Sequence, residues 1–241
     1  LSLDSQWAFV ENAYGVGWVN IKYVGYMDKN KIKFLTQANK FKMSIKDGIE
    51  IAQKNHTILN SSLGSIFAVV NNKTITAIKD NSTNNSMHNN NVRLIYIDDN
   101  KYLTDFPMNF NKENVEVLTK ELLNKPYGWG GFGGRDCSIL TKDFLSSFGY
   151  PLQRNSKAQI HNGKYISLKN KSNKEKKEII VKRGVAFLSM IYLKGHITLY
   201  IGVKNNEPMI LHNIWALRIK QNGKEIRHKI GKSIISSLEV G

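Results

Sequence analysis

The chain has 241 residues, 41% of them hydrophobic and 22% charged, enough apolar material for a packed core and an argument against global disorder. Its formal net charge of +16 admits nucleic acid, an anionic membrane surface or an anionic wall polymer as partner, and charge alone does not choose among them. No apolar run reaches the roughly 18 residues of a membrane span, and the single cysteine excludes an intrachain disulfide and a zinc finger built on cysteine pairs.

In chain order, residues 7–10, 17–19 and 31–35 (KIKFL) alternate as strands do, with a turn expected at Asn12-Ala13-Tyr14-Gly15. SIFAVV and KTITAI follow as strands split by Asn71-Asn72. The polar tract at 80–91 is expected to be a surface loop, and VRLIYI at 92–97 resumes as a strand. The front of the chain therefore reads as short strands with tight turns, in the manner of small barrels. From about residue 110 the pattern changes. Val115, Leu118 and Leu122 have helical spacing over 112–125, and Pro126 stops that helix. A glycine-rich stretch, 127–137, leads into a second helix over 138–148, which Gly149 and Pro151 end. Lys164–Lys182 is dense in charge and reads as a solvated loop. Strands are expected at 185–191, 196–203 and 209–213, the last two joined through Lys204–Pro208. Helices followed by antiparallel strands argue for an α+β fold.

Cys137 would sit at the start of a helix, where the partial positive charge of the helix end favours a thiolate and a lowered pKa. A cysteine nucleophile needs a base, and the base needs an orienting partner. His196 opens one strand and His212 ends the next. If the two strands form a hairpin, both rings can face Cys137. From spacing alone the two are as readily ordinary hydrogen-bonded residues, and a zinc site made by the same Cys and two His competes.

Several linked motifs then carry a resemblance. Tyr127-Gly128-Trp129-Gly130-Gly131, Asp136-Cys137-Ser138, Phe148-Gly149 with Leu152, Arg154, Ser156 and Gln159, then Gly184, Gly195-His196, Tyr200-Ile201-Gly202 and His212 resemble the pattern of the NlpC/p60 family. Ser5, Trp7, Phe9-Val10-Glu11 and Gly17-Trp18-Val19 are similar to the end of a bacterial SH3-like domain, and 41–105, with Leu63-Gly64-Ser65, to a second. The resemblance implies an α+β, papain-like catalytic domain at 106–241, preceded by small all-β SH3-like barrels at 1–40 and 41–105. It implies a cysteine endopeptidase that hydrolyses γ-D-glutamyl–diamino acid bonds of peptidoglycan stem peptides or murein fragments. Cys137, His196 and His212 would be catalytic, and Asp136, Ser138, Tyr127 and Trp129 would bind substrate. No metal or cofactor is expected, nucleic acid is not the expected partner, and the place of action would be the periplasm or the extracellular cell envelope. The start at Leu1 rather than Met leads to the expectation of a processed or trimmed chain. A catalytically weak wall-binding protein, or an acyl transferase or amidase on the same fold, are the competing readings. Ile139, Val185, Gln153 and Thr198 depart from the family pattern, with Ile139 expected to pack and to narrow the groove.

Overall fold

The computed structural model describes residues 1–12, 15–54, 56–79, 91–221 and 224–239. The chain divides into two compact units, Leu1–Met108 and Asn109–Gly241.

In the first unit, β1 (Trp7–Asn12) and β2 (Gly15–Asn20) form an antiparallel hairpin in which Phe9 lies opposite Trp18. The two rings sit 5.3 Å apart. Part of the turn expected between these strands lies outside the described residues. The strand expected at 31–35 is instead helix α1 (Lys29–Thr36), started by Asp28, whose side chain accepts the Lys31 N–H. KIKFL imitates a period of two, but Ile32 and Leu35 are also one helical turn apart, and the Asp28 cap tips the balance.

Five strands then pair antiparallel in the order β8 (Val92–Tyr96), β7 (Lys73–Lys79), β6 (Ile66–Val70), β3 (Lys40–Ser44) and β9 (Leu103–Phe106). Asn71 and Asn72, both at positive φ, make the expected two-residue turn between β6 and β7, a geometry that Asn tolerates better than most residues. A separate hairpin, β4 (Ile49–Gln53) with β5 (His56–Ser61), contributes Ile49 and Ile51 to a core shared with Phe67, Ile95, Ile97 and Leu103. The polar tract expected as a loop lies, but for Asn91, outside the described residues.

The second unit opens with α2 (Lys112–Leu122), capped by Asn111 and burying Val115, Leu118 and Leu122. Next come α3 (Cys137–Ser147), the single-turn α4 (Ser156–Gln159) and α5 (Asn173–Arg183). An antiparallel sheet closes the unit in the order β10 (Met190–Leu193), β11 (His196–Lys204), β12 (Glu207–Gln221) and β13 (Lys224–Ser237). Helix α3 packs on β11 and β12. Its apolar side chains carry the contact: Leu140 and Phe144 are fully buried, and Ile139 and Leu145 almost so. The Phe144 ring meets those of Phe148 and Phe187 at 5.4 and 6.0 Å.

The structure departs from the expected elements in several places here, and β13 answers to no expected strand. The basic stretch expected as a loop contains α5, begun by a reciprocal capping box between Ser172 and Glu175. That S-x-x-E signature is present in the sequence, but the helix buries only Ile180, so no apolar stripe announces it. The strand expected from 185 starts at Met190 instead. Val185–Ser189 turns back on itself through bonds from Leu188 and Ser189 N–H to the Val185 carbonyl, with Phe187 at positive φ. The β11–β12 connection is tighter than Lys204–Pro208, because Lys204 already pairs with Glu207 and only Asn205-Asn206 turn.

Phe144→Ala removes a ring from the centre of the second unit and is expected to lower its unfolding free energy by about 3–5 kcal/mol, read from urea denaturation; a loss well under 1 kcal/mol would mean that α3 does not carry the core.

Candidate active site

Five glycines and three aromatic residues form the approach to α3, and steric demand explains two of the glycines. A Cβ on Gly128 would lie 2.3 Å from the Phe132 carbonyl oxygen, and one on Gly134 would lie 2.4 Å from that of Pro126. The loop closes on itself through Gly128 N–H to the Arg135 carbonyl (2.9 Å) and Arg135 N–H to the Pro126 carbonyl (3.2 Å). The Asn213 side-chain amide on β12 donates to the same two carbonyls. The loop is thus stitched to the sheet, and Cys137 emerges where it ends.

Asp136 caps α3. Its carboxylate accepts the Ile139 N–H and the Ser138 hydroxyl, each at 2.9 Å, and the Arg154 guanidinium at 2.8 Å. Arg154 also donates to Ser138 Oγ at 2.9 Å. Burial alone would push the Asp136 carboxyl up, but these bonds, led by that of Arg154, hold it below the usual carboxylate range. Gln159, fully buried, donates to the Ser138 and Gln153 carbonyls and accepts from the Thr141 hydroxyl. It locks the first turn of α3 to the segment that carries Arg154. Ile139 is buried under the glycine-rich loop, its Cδ1 2.8 Å from where a Cβ on Gly131 would stand; it packs there, as expected.

Side chains two residues apart on a strand share a face, and the register brings the histidines together. Tyr200 on β11 lies opposite Ile210 on β12, so His196 and His212, at even spacings from that pair, project from the same side of the sheet. His196 Nε2 and His212 Nδ1 are 3.0 Å apart. On the next strand, Ser236 Oγ lies 3.1 Å from His212 Nε2. The backbone N–H of Ile197, next to His196, bonds the Cys137 sulfur. Cys137 and His196 line one cleft of about 570 Å3, together with Tyr127, Trp129, Asp136, Ser138 and Arg154. Trp215 and Arg227, from the β12–β13 ribbon, complete its wall.

All seven residues singled out from the sequence therefore border this cleft or, for His212, stand directly behind it. They differ in character. Trp129 is 82% exposed, whereas His212 is 3% exposed. Tyr127 has its ring 5.9 Å from that of Trp215. Of the other described histidines, His56, His161 and His228 are exposed, and His88 lies outside the described residues. Among the described residues no cluster of His, Cys, Asp and Glu is arranged to hold a metal ion, and no helix is long and apolar enough to cross a membrane. Another cavity, of about 520 Å3, lies beside α5 and β10, but Cys137 and the paired histidines do not line it.

The electrostatics correct one expectation. Burial raises the Cys137 thiol pKa above its ordinary value, and the neighbouring Asp136 charge adds to the rise; the N–H groups of Ile197, Ser138 and Cys137 itself oppose it without prevailing. The helix start does not by itself produce a thiolate here. Burial also lowers the pKa of His196 and, with His196 alongside, brings that of His212 down to about 4. Thiol and both imidazoles are therefore neutral at rest near pH 7. Ser236, Arg227 and Asn213 were missed by sequence reasoning: β13 carries no alternation strong enough to mark it as a strand, so nothing placed Ser236 or Arg227 against the histidines.

Helix-borne cysteine, paired sheet-borne histidines and an anionic helix cap make up a thiol–imidazole site on an α+β scaffold. Residues 124–237 match the model of the NlpC/P60 family, and this part of the chain is an NlpC/P60 family domain. Among solved structures, an NlpC/P60 endopeptidase from Photobacterium damselae subsp. piscicida shares the fold over 100% of this chain, with a TM-score of 0.80 and 22% identity. An NlpC/P60 family protein from Bacillus cereus ATCC 10987 aligns over 93%, with a TM-score of 0.58 and 17% identity. This chain spans 56% of the length of the first and 66% of the second. No curated protein sequence matches it.

A group whose folded pKa is depressed binds protons more readily when unfolded, so for His212 the stability is full above about pH 6.5 and is lost as pH falls toward 4. Wild type should lose roughly 3 kcal/mol over that window from this group, and His212→Asn should lack that part of the slope in denaturation curves taken from neutral to acid pH.

Proposed function

We propose that the second unit is a cysteine endopeptidase that hydrolyses the γ-D-glutamyl–diamino acid amide bond of peptidoglycan stem peptides. The observation that carries the reading is the convergence of Cys137 and His196 on one cleft, with His212 bonded to the far side of the His196 ring. That bond occupies Nε2 and leaves Nδ1 of His196 to take the thiol proton. The sulfur then attacks the scissile carbonyl carbon. The N–H of Cys137 is among the groups placed to meet the charge developing on the oxygen. His196 passes its proton to the leaving diamino-acid nitrogen as the C–N bond breaks. Water, deprotonated by His196, cleaves the thioester and restores the thiol.

Because the thiol and imidazole rest neutral, the ion pair forms only as the reaction begins, and substrate that displaces water from the cleft strengthens it. The Asp136 carboxylate, held ionised beside Ser138, suits the free ammonium of an N-terminal L-Ala. Arg154 and Arg227 suit the carboxylates that such stems carry, and Tyr127, Trp129 and Trp215 supply flat apolar wall. The first unit, in this reading, consists of the end of one bacterial SH3-like domain over 1–40 and a second over 41–105, with the catalytic domain over 106–241. The excess of positive charge has a natural counterpart in the carboxylates and phosphates of a bacterial wall, in keeping with action in the periplasm or the extracellular cell envelope.

Mass spectrometry of L-Ala-γ-D-Glu-meso-diaminopimelate incubated with the protein should show free diaminopimelate, and Cys137→Ala and His196→Ala should each slow its release at least about 10^3-fold. Absence of cleavage by wild type, of this tripeptide and of cross-linked sacculi alike, would sink the hydrolase reading.

A further inference from the structure

We infer that Ser236 is a positioning residue: it fixes the tautomer of His212 and, through that ring, leaves the Nδ1 lone pair of His196 as the base that faces Cys137. The inference rests on the hydrolase reading of the cleft for its consequence, but not for its geometry.

The Ser236 hydroxyl donates to the Ser237 carbonyl oxygen at 2.9 Å. A hydroxyl has a single hydrogen, so toward His212 Nε2, 3.1 Å away, Ser236 Oγ is an acceptor. His212 Nε2 must then carry the hydrogen. A neutral imidazole has one N–H and one lone pair, and burial keeps this ring neutral. Its Nδ1 is therefore an acceptor, and the 3.0 Å contact with His196 is donated by His196 Nε2–H. His196, also depressed by burial, has no second hydrogen, so its Nδ1 presents a lone pair. Reversing any link would set two lone pairs or two hydrogens against each other in a buried row. The carbonyl at the end of the row can only accept, so the direction follows from the Ser236 hydrogen being given to it.

The register explains why Ser236 can do this. Ile210 lies opposite Ser236 across β12 and β13, which puts Ser236 on the sheet face that carries His212, two residues along. Neighbouring Ser233 is on the other face, where it bonds the Leu122 carbonyl. An alanine at 236 would leave His212 Nε2–H without its acceptor, and the ring could gain by moving its hydrogen to Nδ1. His196 would then have to accept at Nε2 and carry its hydrogen at Nδ1, where it cannot take a proton from the thiol.

Nitrogen-15 NMR of the imidazoles in the full chain reads the tautomers directly and needs no substrate. The expected result is His212 as the Nε2–H form and His196 as the Nε2–H form in wild type, with both populations mixed in Ser236→Ala and restored in Ser236→Thr, which keeps the oxygen. On the tripeptide, Ser236→Ala should lower kcat about ten-fold with KM changed less than two-fold, and Ser236→Thr should recover most of it. Alkylation of Cys137, the only thiol in the chain, reports on the same base where no cleavage is found, and should slow in Ser236→Ala alone. A wild-type His212 protonated at Nδ1 overturns the inference whatever the activity. So does a Ser236→Ala protein with unchanged tautomers, kcat and alkylation rate. Expected tautomers and alkylation in a protein that does not cleave stem peptides would support the inference while removing the hydrolase reading.

Discussion

The placement of Cys137 depends on the carboxylate of Asp136. The first N–H groups of a helix have no partner within it, and a start buried against a sheet cannot leave them to water. Asp136 satisfies the Ile139 N–H, accepts the Ser138 hydroxyl and pairs with Arg154. A buried carboxylate with one partner would be costly; with three donors it becomes a joint. It ties α3 to the Arg154 segment, and Gln159 ties that segment back to the Ser138 carbonyl. The thiol therefore sits on a helix whose first turn is bonded from both sides, while Asn213 and the glycine-rich loop fix its approach from the sheet.

The same joint makes the thiol harder to ionise. Asp136 stands one residue before Cys137, and its charge raises the thiol pKa along with burial. A structure that held the helix start with a neutral cap would favour the thiolate more. What offsets the loss is the pairing of two neutral rings in a row: a base does not need a high pKa if it need only hold the proton while the sulfur attacks. The site therefore exchanges a resting ion pair, which water and ions would screen, for a neutral pair that separates charge only as the reaction begins. The direction in which the histidine row carries its hydrogens matters more in such a site than in one that rests ionised. A protonated His196 would present a hydrogen at both nitrogens, and its tautomer would be no constraint.

The residues that declare themselves in the sequence are those whose local chemistry is unusual. Glycines clustered before a cysteine, a histidine after a glycine, and Val115, Leu118 and Leu122 at helical spacing are all legible, and with their order they pointed to the NlpC/P60 domain that the comparison finds. Residues that depend on register are not legible. KIKFL alternates like a strand yet forms α1, because a capping Asp28 three residues ahead of Lys31 outweighs a weak period of two. Helix α5 hides among lysines, since it buries one residue and its only local signature is the Ser172–Glu175 box. Strand β13 reads as a mixture of charge and serine because its outer half, Lys224–Lys229, is exposed on both faces, so nothing in the sequence sets Ser236 near His212.

The long ribbon of β12 and β13 shows why that last gap matters. Its inner half, from Ser237 to Lys232, pairs with the stretch of β12 that carries His212, and Tyr127 N–H bonds the Gly231 carbonyl at its midpoint. Its outer half runs on past a bulge between Ile214 and Ala216, where Trp215 lies near the Tyr127 ring and beneath the Lys229 ammonium, and Arg227 reaches the cleft wall. One strand pair thus carries the innermost partner of the histidine row at one end and wall residues of the cleft at the other. A bulge adds a residue on one strand only and turns the ribbon, so the register that places Ser236 and the twist that aims Trp215 are set independently. The wall of the cleft can then vary in sequence without disturbing the row of hydrogen bonds behind the thiol.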